Sequence, residues 1–211
     1  MRVAGGTWRG REVLMPKSEA VRPTQSRVRE AVFDLLMQVV PGRRFLDLFA
    51  GSGAMGIEAL SRGAAAAAFW ERDRRVFATL QKNLAAFGIA PEAARNLDSL
   101  AALGLPTEAE PPTPKAPRTR RSATPPPAAR PLGEAPYSVV FADPPYRWAR
   151  ENGMAALAGA LRDRGVLAAG GFLVAEMDRD TPAEEMPGFT LVRDRLYGTT
   201  RIAVWRAQEE A

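Results

Sequence analysis

The stretch RFLDLFAGSGAMG, Arg44 to Gly56, constrains the fold more than any other part of the chain. A short apolar run that stops at a glycine-rich turn and continues as helix is a strand–turn–helix unit, and its helix N-terminus presents backbone N–H groups at a sheet edge. The alternation recurs. AAAAAFWE, 64–71, reads as a second strand. A helix follows from Arg74 to Phe87, with Val76, Leu80, Leu84 and Phe87 on one side and Gly88 as its stop. Glu92 to Leu97 is a compositionally weak third strand, and Asp98 opens a short helix. Tyr137 to Phe141 reads as a strand, 149–163 as a helix and Gly171 to Glu176 as a strand. FTLVRDR (189–195) and RIAVWRA (201–207), joined by LYGTT, form an antiparallel hairpin. The pattern predicts an α/β fold, a mostly parallel sheet covered by helices on both faces.

Residues 1–40 form a distinct extension before the main domain at 41–211. VAGGTWRGREVL offers two short strands of a hairpin, with glycines at 5, 6 and 10. A helix starts at Pro23-Thr24, with Thr24 as N-cap and Val28, Val32, Leu35, Leu36 and Val39 as its core stripe. Arg2, Arg9, Arg11 and Arg22 stud the extension, and Arg27 and Arg29 lie off the stripe. The formal charge is +5 and the pI about 10.2. Most of the positive charge is arginine, whose planar fork suits phosphate. With Trp8 among them, these arginines read as an RNA- or DNA-binding arm; a plain solvated face is the alternative. Residues 104–136 hold ten of the eighteen prolines and almost no large apolar residues. That composition predicts an extended or disordered insert before the fourth strand.

The chain has no cysteine and no histidine, which excludes disulfides, thiol chemistry and imidazole catalysis and leaves no expectation of a metal site. MRVAGGTWRGRE lacks the apolar core of a signal peptide, and no apolar run approaches membrane-spanning length. The expectation is a soluble cytoplasmic protein.

Two motifs carry chemistry. Gly51, Gly53 and Gly56 satisfy G-x-G-x-x-G, yet Asp47 stands just before them, at the strand end. A carboxylate there opposes a pyrophosphate and suits a cationic or zwitterionic ligand, such as S-adenosylmethionine (SAM). Glu71 ends the next strand at a spacing that suits a bond to both ribose hydroxyls. Asp98 is placed to accept from an adenine amine, or to cap its helix. Downstream, FADPPYRW puts Asp143, Pro144, Pro145 and Tyr146 just past a strand. Neither proline can extend a ladder, so the four residues make a rigid turn at the sheet edge. The Asp143 side chain and the Pro144 carbonyl can each accept one N–H of an exocyclic base amine. Its lone pair then faces a methyl donor, while Tyr146 stacks on the flipped-out base.

The combination of FLDLFAGSGAMGIEALSRGA, FWERD and VVFADPPY resembles the SAM-dependent amino-methyltransferases. GGTWRGREV and RPTQSRVREAVFDLL narrow it: the chain resembles the bacterial 16S ribosomal RNA guanine-N2 methyltransferases of the RsmD type, over nearly its whole length outside 104–136. That resemblance implies a class I methyltransferase fold, seven strands with the last antiparallel. It implies methyl transfer from SAM to the N2 amine of one guanine of 16S rRNA, presented by the small ribosomal subunit. Gly51, Ser52 and Gly53 would line the SAM site, Glu71 would hold the ribose and Asp98 would sit near the adenine. Asp143 to Tyr146 would hold the guanine, and Arg9, Arg11, Arg22, Arg27 and Arg29 would contact phosphates. A monomer without metal is expected. The competing readings are an amine methylase acting on DNA adenine or another RNA guanine, an inactive binding module, and an NAD-dependent oxidoreductase, which would leave DPPY without a role.

Overall fold

A computed structural model describes residues 1–16, 26–107 and 136–209. Arg22, Thr24 and most of the proline-rich insert (108–135) lie outside the described residues.

The central apolar runs form strands that are buried on both faces, as in the runs at 44–47 and 137–142. Helix α1 (Ser26–Leu35) precedes β1 (Arg44–Asp47), α2 (Ala54–Ser61), β2 (Ala66–Glu71) and α3 (Arg74–Ala86). Then come β3 (Ala94–Asn96), α4 (Ser99–Ala102), β4 (Tyr137–Ala142), α5 (Tyr146–Asp163), β5 (Leu167–Asp178), β6 (Phe189–Tyr197) and β7 (Thr200–Ala207). The seven strands lie in the order β3-β2-β1-β4-β5-β7-β6, and β7 runs antiparallel to both its neighbours. On β1, Leu46 packs into a cluster with Trp148 and Leu157, while Phe45 packs on the other face with Val32 and Met55. The run is apolar without alternation because both faces are covered. The strand order reverses between β1 and β4, so the loops leaving these two strands diverge and open a crevice at their C-terminal ends.

Several elements differ from the sequence-based expectation. Pro91 to Ala93 is a 3₁₀ turn, and β3 keeps three residues. Helix α5 starts at Tyr146, directly after the prolines, and breaks its helical geometry at Gly153 (φ 73°). The N-terminal hairpin is present as a short antiparallel pairing around the Arg2–Glu12 bridge, with Val3 donating to the Arg11 carbonyl at 2.9 Å and Val13 to the Met1 carbonyl at 2.7 Å. The backbone groups at its tip turn toward α2. Ala4 and Gly5 donate to the two Glu58 carboxylate oxygens at 2.8 Å, and Thr7 and Trp8 donate to the Ser61 carbonyl and hydroxyl.

That docking corrects the reading of Arg29. The residue is 1% exposed, so it does not face a phosphate. Its Nε meets Glu58 at 3.3 Å, and an Nη donates to the Arg2 carbonyl at 2.6 Å. Arg62 adds a second bond to Glu58 at 2.8 Å. Glu58 is fully buried, and a carboxylate so desolvated persists only because four donors satisfy it. Glu58→Ala strands Arg29 as a buried cation and should lower unfolding free energy by about 3–5 kcal/mol, measured by urea titration.

Candidate active site

The C-terminal edge of the sheet carries an acid at or just past strand after strand. Asp47 ends β1, Glu71 ends β2, Asp98 follows β3 and Asp143 follows β4. All four line one cavity of about 590 Å³, together with Gly51, Ser52, Pro144, Pro145 and Tyr146. The volume lies in the range of roughly 300–1,000 Å³ usual for cofactor and ligand clefts.

The glycine turn has its shape for two reasons. Gly51 and Gly53 sit at φ 54° and 82°, a conformation that side chains disfavour. Gly56 answers a different need: a Cβ there would lie 2.2 Å from the Phe69 ring, so α2 rests directly on β2. Beneath the turn, Asp47 Oδ2 accepts from Gly56 N–H at 3.1 Å. Asp47 is 1% exposed, and its pKa is pushed up to about 7, chiefly by burial, with the Glu71 charge adding to it and the Gly56 bond opposing.

Glu71 holds the two loops around it. Its Oε2 accepts from Gly51 N–H at 2.9 Å and its Oε1 from Asp73 N–H at 2.7 Å. Burial also raises its pKa, against those two bonds. Each oxygen receives one backbone donor and keeps a second lone pair, the valence that a vicinal diol requires. Asp98 caps α4 through Oδ1, which accepts from Leu100 and Ala101. Its Oδ2 lies 3.7 Å from Arg72. The capping and cavity-lining readings of Asp98 are therefore compatible, since they use different oxygens. The donor set fits SAM on these grounds: a buried carboxylate under a glycine turn for a cation, a two-lone-pair carboxylate for the ribose, and a further acid across the cavity. Asp47, Gly51, Ser52, Glu71 and Asp98 line the cavity and could hold it; Gly53, also expected there, is not among the lining residues.

The arginines divide. Arg9 and Arg27 are exposed. Arg11 is exposed too, but its guanidinium donates to the Ala86 carbonyl and lies 4.3 Å over the Phe87 ring, which binds the arm to α3. Four residues escaped the sequence reading. Met1 and Met15 reach the cavity from the arm. Asn83 is buried on α3 and bonds Leu14 N–H, the Leu14 carbonyl and the Ser52 carbonyl, each within 2.9 Å, so the arm and the glycine turn share one side chain. Its signal was an amide interrupting the apolar stripe of α3. Glu176, near the end of β5, also lines the cavity, although from the sequence it reads only as the last residue of a strand.

A family profile described as Conserved hypothetical protein 95 matches residues 1–112 and 118–206. The chain belongs to that family. Among similar sequences, Ribosomal RNA small subunit methyltransferase D of Escherichia coli (strain K12) is 31% identical over 211 residues, 100% of this chain and 91% of the relative. The solved structure of Escherichia coli yhhF superposes with a TM-score of 0.75 at 30% identity, covering 100% of this chain and 99% of the other. An RNA methyltransferase from Salinibacter ruber, solved with S-adenosyl-L-homocysteine, matches at TM-score 0.57 and 18% identity, over 90% of this chain and 96% of the other. This second likeness is one of fold. The sheet order, the reversed β7 and these neighbours establish the class I SAM-dependent methyltransferase fold for this member of the Conserved hypothetical protein 95 family.

The raised pKa of Asp47 sets a pH dependence for a ligand bearing an ammonium group. Above about pH 7 the free site holds the carboxylate the cation needs. Below it a proton must leave first, so affinity falls by up to about tenfold per pH unit. Calorimetric titration with S-adenosylhomocysteine between about pH 5.5 and 8.5 should show this slope, and Asp47→Asn should bind weakly without it.

Proposed function

We propose that this chain transfers a methyl group from SAM to the exocyclic N2 amine of a guanine in 16S rRNA, presented by the small ribosomal subunit. The observation that carries the reading is the sharing of one cavity by two half-sites across the β1/β4 reversal. The glycine turn, Asp47 and Glu71 form one side, and Asp143 to Tyr146 form the other. The family and the rRNA methyltransferase named among its relatives support the substrate class.

When bound, SAM supplies an electrophilic methyl on its sulfonium. The chain's own residues do the positioning. The Asp143 carboxylate and the Pro144 carbonyl accept the two N–H bonds of the amine, which aims the nitrogen lone pair at the methyl. As the N–C bond forms and the methyl's bond to sulfur breaks, positive charge grows on nitrogen; those same two acceptors stabilise it in a cavity walled by Leu48, Phe141 and Tyr146, and the surplus N–H proton leaves along the hydrogen bond to Asp143. Helix α5 begins at Tyr146, so the ring is held on the first turn of a helix whose Trp148 is buried in the core and bonds the Pro106 carbonyl. Tyr146 stacks on the extruded base. Arg9 and Arg27 contact rRNA phosphates from the arm and α1, while Arg11 holds the arm on α3. The chain acts as a monomer in the cytoplasm; among the described residues no helix is long and apolar enough to cross a membrane.

Asp143→Ala should lower single-turnover methyl transfer by about 10²–10³-fold, the usual loss for one transition-state hydrogen-bond acceptor or donor, while SAM affinity stays within about twofold. Retained transfer would refute the base-positioning role. Replacing Arg9 and Arg27 together with Ala should reduce the salt slope of RNA binding by about one to two, since each phosphate contact contributes roughly 0.7–0.9. An unchanged slope would return both to the solvent.

A further inference from the structure

The acceptors of the DPPY turn select an amine, not a base. A guanine N2 and an adenine N6 each offer two N–H bonds, and Asp143 with Pro144 would accept either. Discrimination needs a group that reads the neighbouring ring position. Guanine carries an N1–H donor beside its amine; adenine carries an N1 lone pair there.

The register of the sheet puts a carboxylate in that place. Strands β4 and β5 are parallel, with Phe141 opposite Val174 and Ala142 opposite Ala175. One step further aligns Asp143 with Glu176. Neighbouring strands lie about 4.8 Å apart, and residues at one register position of a parallel pair point to the same face. Glu176 is 5% exposed and lines the same cavity as Asp143, Pro144 and Tyr146, beside Thr199 and Thr200. It lies on the base half of the cavity, with β4 and β1 between it and the ribose-side Glu71 on β2.

We propose that Glu176 is the residue that selects guanine over adenine, by accepting the N1–H of the base whose N2 amine is held by Asp143 and Pro144. The inference rests on the amine-methyltransferase reading above and extends it to the ring edge. Against guanine, the carboxylate gains a charge-assisted hydrogen bond from N1–H. Against adenine, it faces a ring lone pair, with like polarity and no proton between. That mismatch sets a buried carboxylate oxygen against a lone pair where guanine offers a donor, which is the costly outcome. Glu176 is thus a specificity residue that touches the base, and the methyl-transfer geometry stays with Asp143 and Pro144.

The test uses small subunits reconstituted with 16S rRNA carrying either guanine or 2-aminopurine at the mapped target. 2-Aminopurine keeps the N2 amine and replaces the N1–H by a lone pair. The wild-type protein should prefer guanine in kcat/KM by about 100-fold or more. In Glu176→Gln, whose amide can donate to the 2-aminopurine N1, that ratio should shrink by at least about tenfold, with SAM affinity unchanged as the control for folding. Glu176→Asp should keep the wild-type preference at a lower rate. A Glu176→Gln variant that slows both substrates by one factor, leaving the ratio intact, overturns the proposal while the methyltransferase reading stands. A wild type that accepts both bases equally does the same. If the wild type labels no guanine N2 in unsubstituted subunits, the function itself fails and this inference falls with it.

Discussion

A carboxylate buried beneath a glycine turn is the constraint around which the site is organised. Asp47 sits at the end of β1 with almost no solvent contact, and one bond from Gly56 N–H is the visible compensation. Burial has already driven its pKa up to about 7. A group in that state is poised for a cation, since an ammonium placed against it restores the charged form that burial penalises. The turn above it must then approach closely, which accounts for positive φ at Gly51 and Gly53 and for the absence of a side chain at Gly56. Glu71 completes the arrangement by bonding Gly51 from the neighbouring strand.

The same logic of satisfied buried charge joins the N-terminal extension to this site. Glu58 collects two backbone N–H groups of the arm and two arginines on the far side of α2. Asn83 then ties Leu14 of the arm to Ser52 of the turn. The extension is packed onto the helix that follows the glycine turn. An RNA gripped through the arm would therefore be registered against the methyl donor through buried contacts.

Much of this architecture was legible from residue order because strand and helix differ in period, and because glycine and proline mark where each stops. The β–α alternation, the glycine turn, the DPPY turn and the terminal hairpin all followed from such local signals. The misreadings share a cause: they depend on partners distant in sequence. Arg29 lies off the apolar stripe of α1 and reads as solvent-facing until Glu58, twenty-nine residues later, is brought beneath it. The arm forms the hairpin that its glycines suit, but its docking on α2 through Ala4, Gly5, Thr7 and Trp8 depends on acceptors more than fifty residues later. Tyr146 was placed in a loop because two prolines usually stop structure, whereas Pro145 here serves as the cap of α5. Glu176 was read as a strand residue and no more; only the β4/β5 register shows that it shares a face with Asp143.

The account stands or falls on where a methyl group goes. Purified protein, labelled SAM and unmethylated small ribosomal subunits, with naked 16S rRNA and DNA in parallel, would decide it once the labelled nucleotide is mapped. Label on the N2 amine of a single guanine of 16S rRNA is the expected result. Label on adenine N6 in DNA, or on any position other than a guanine amine, would contradict it.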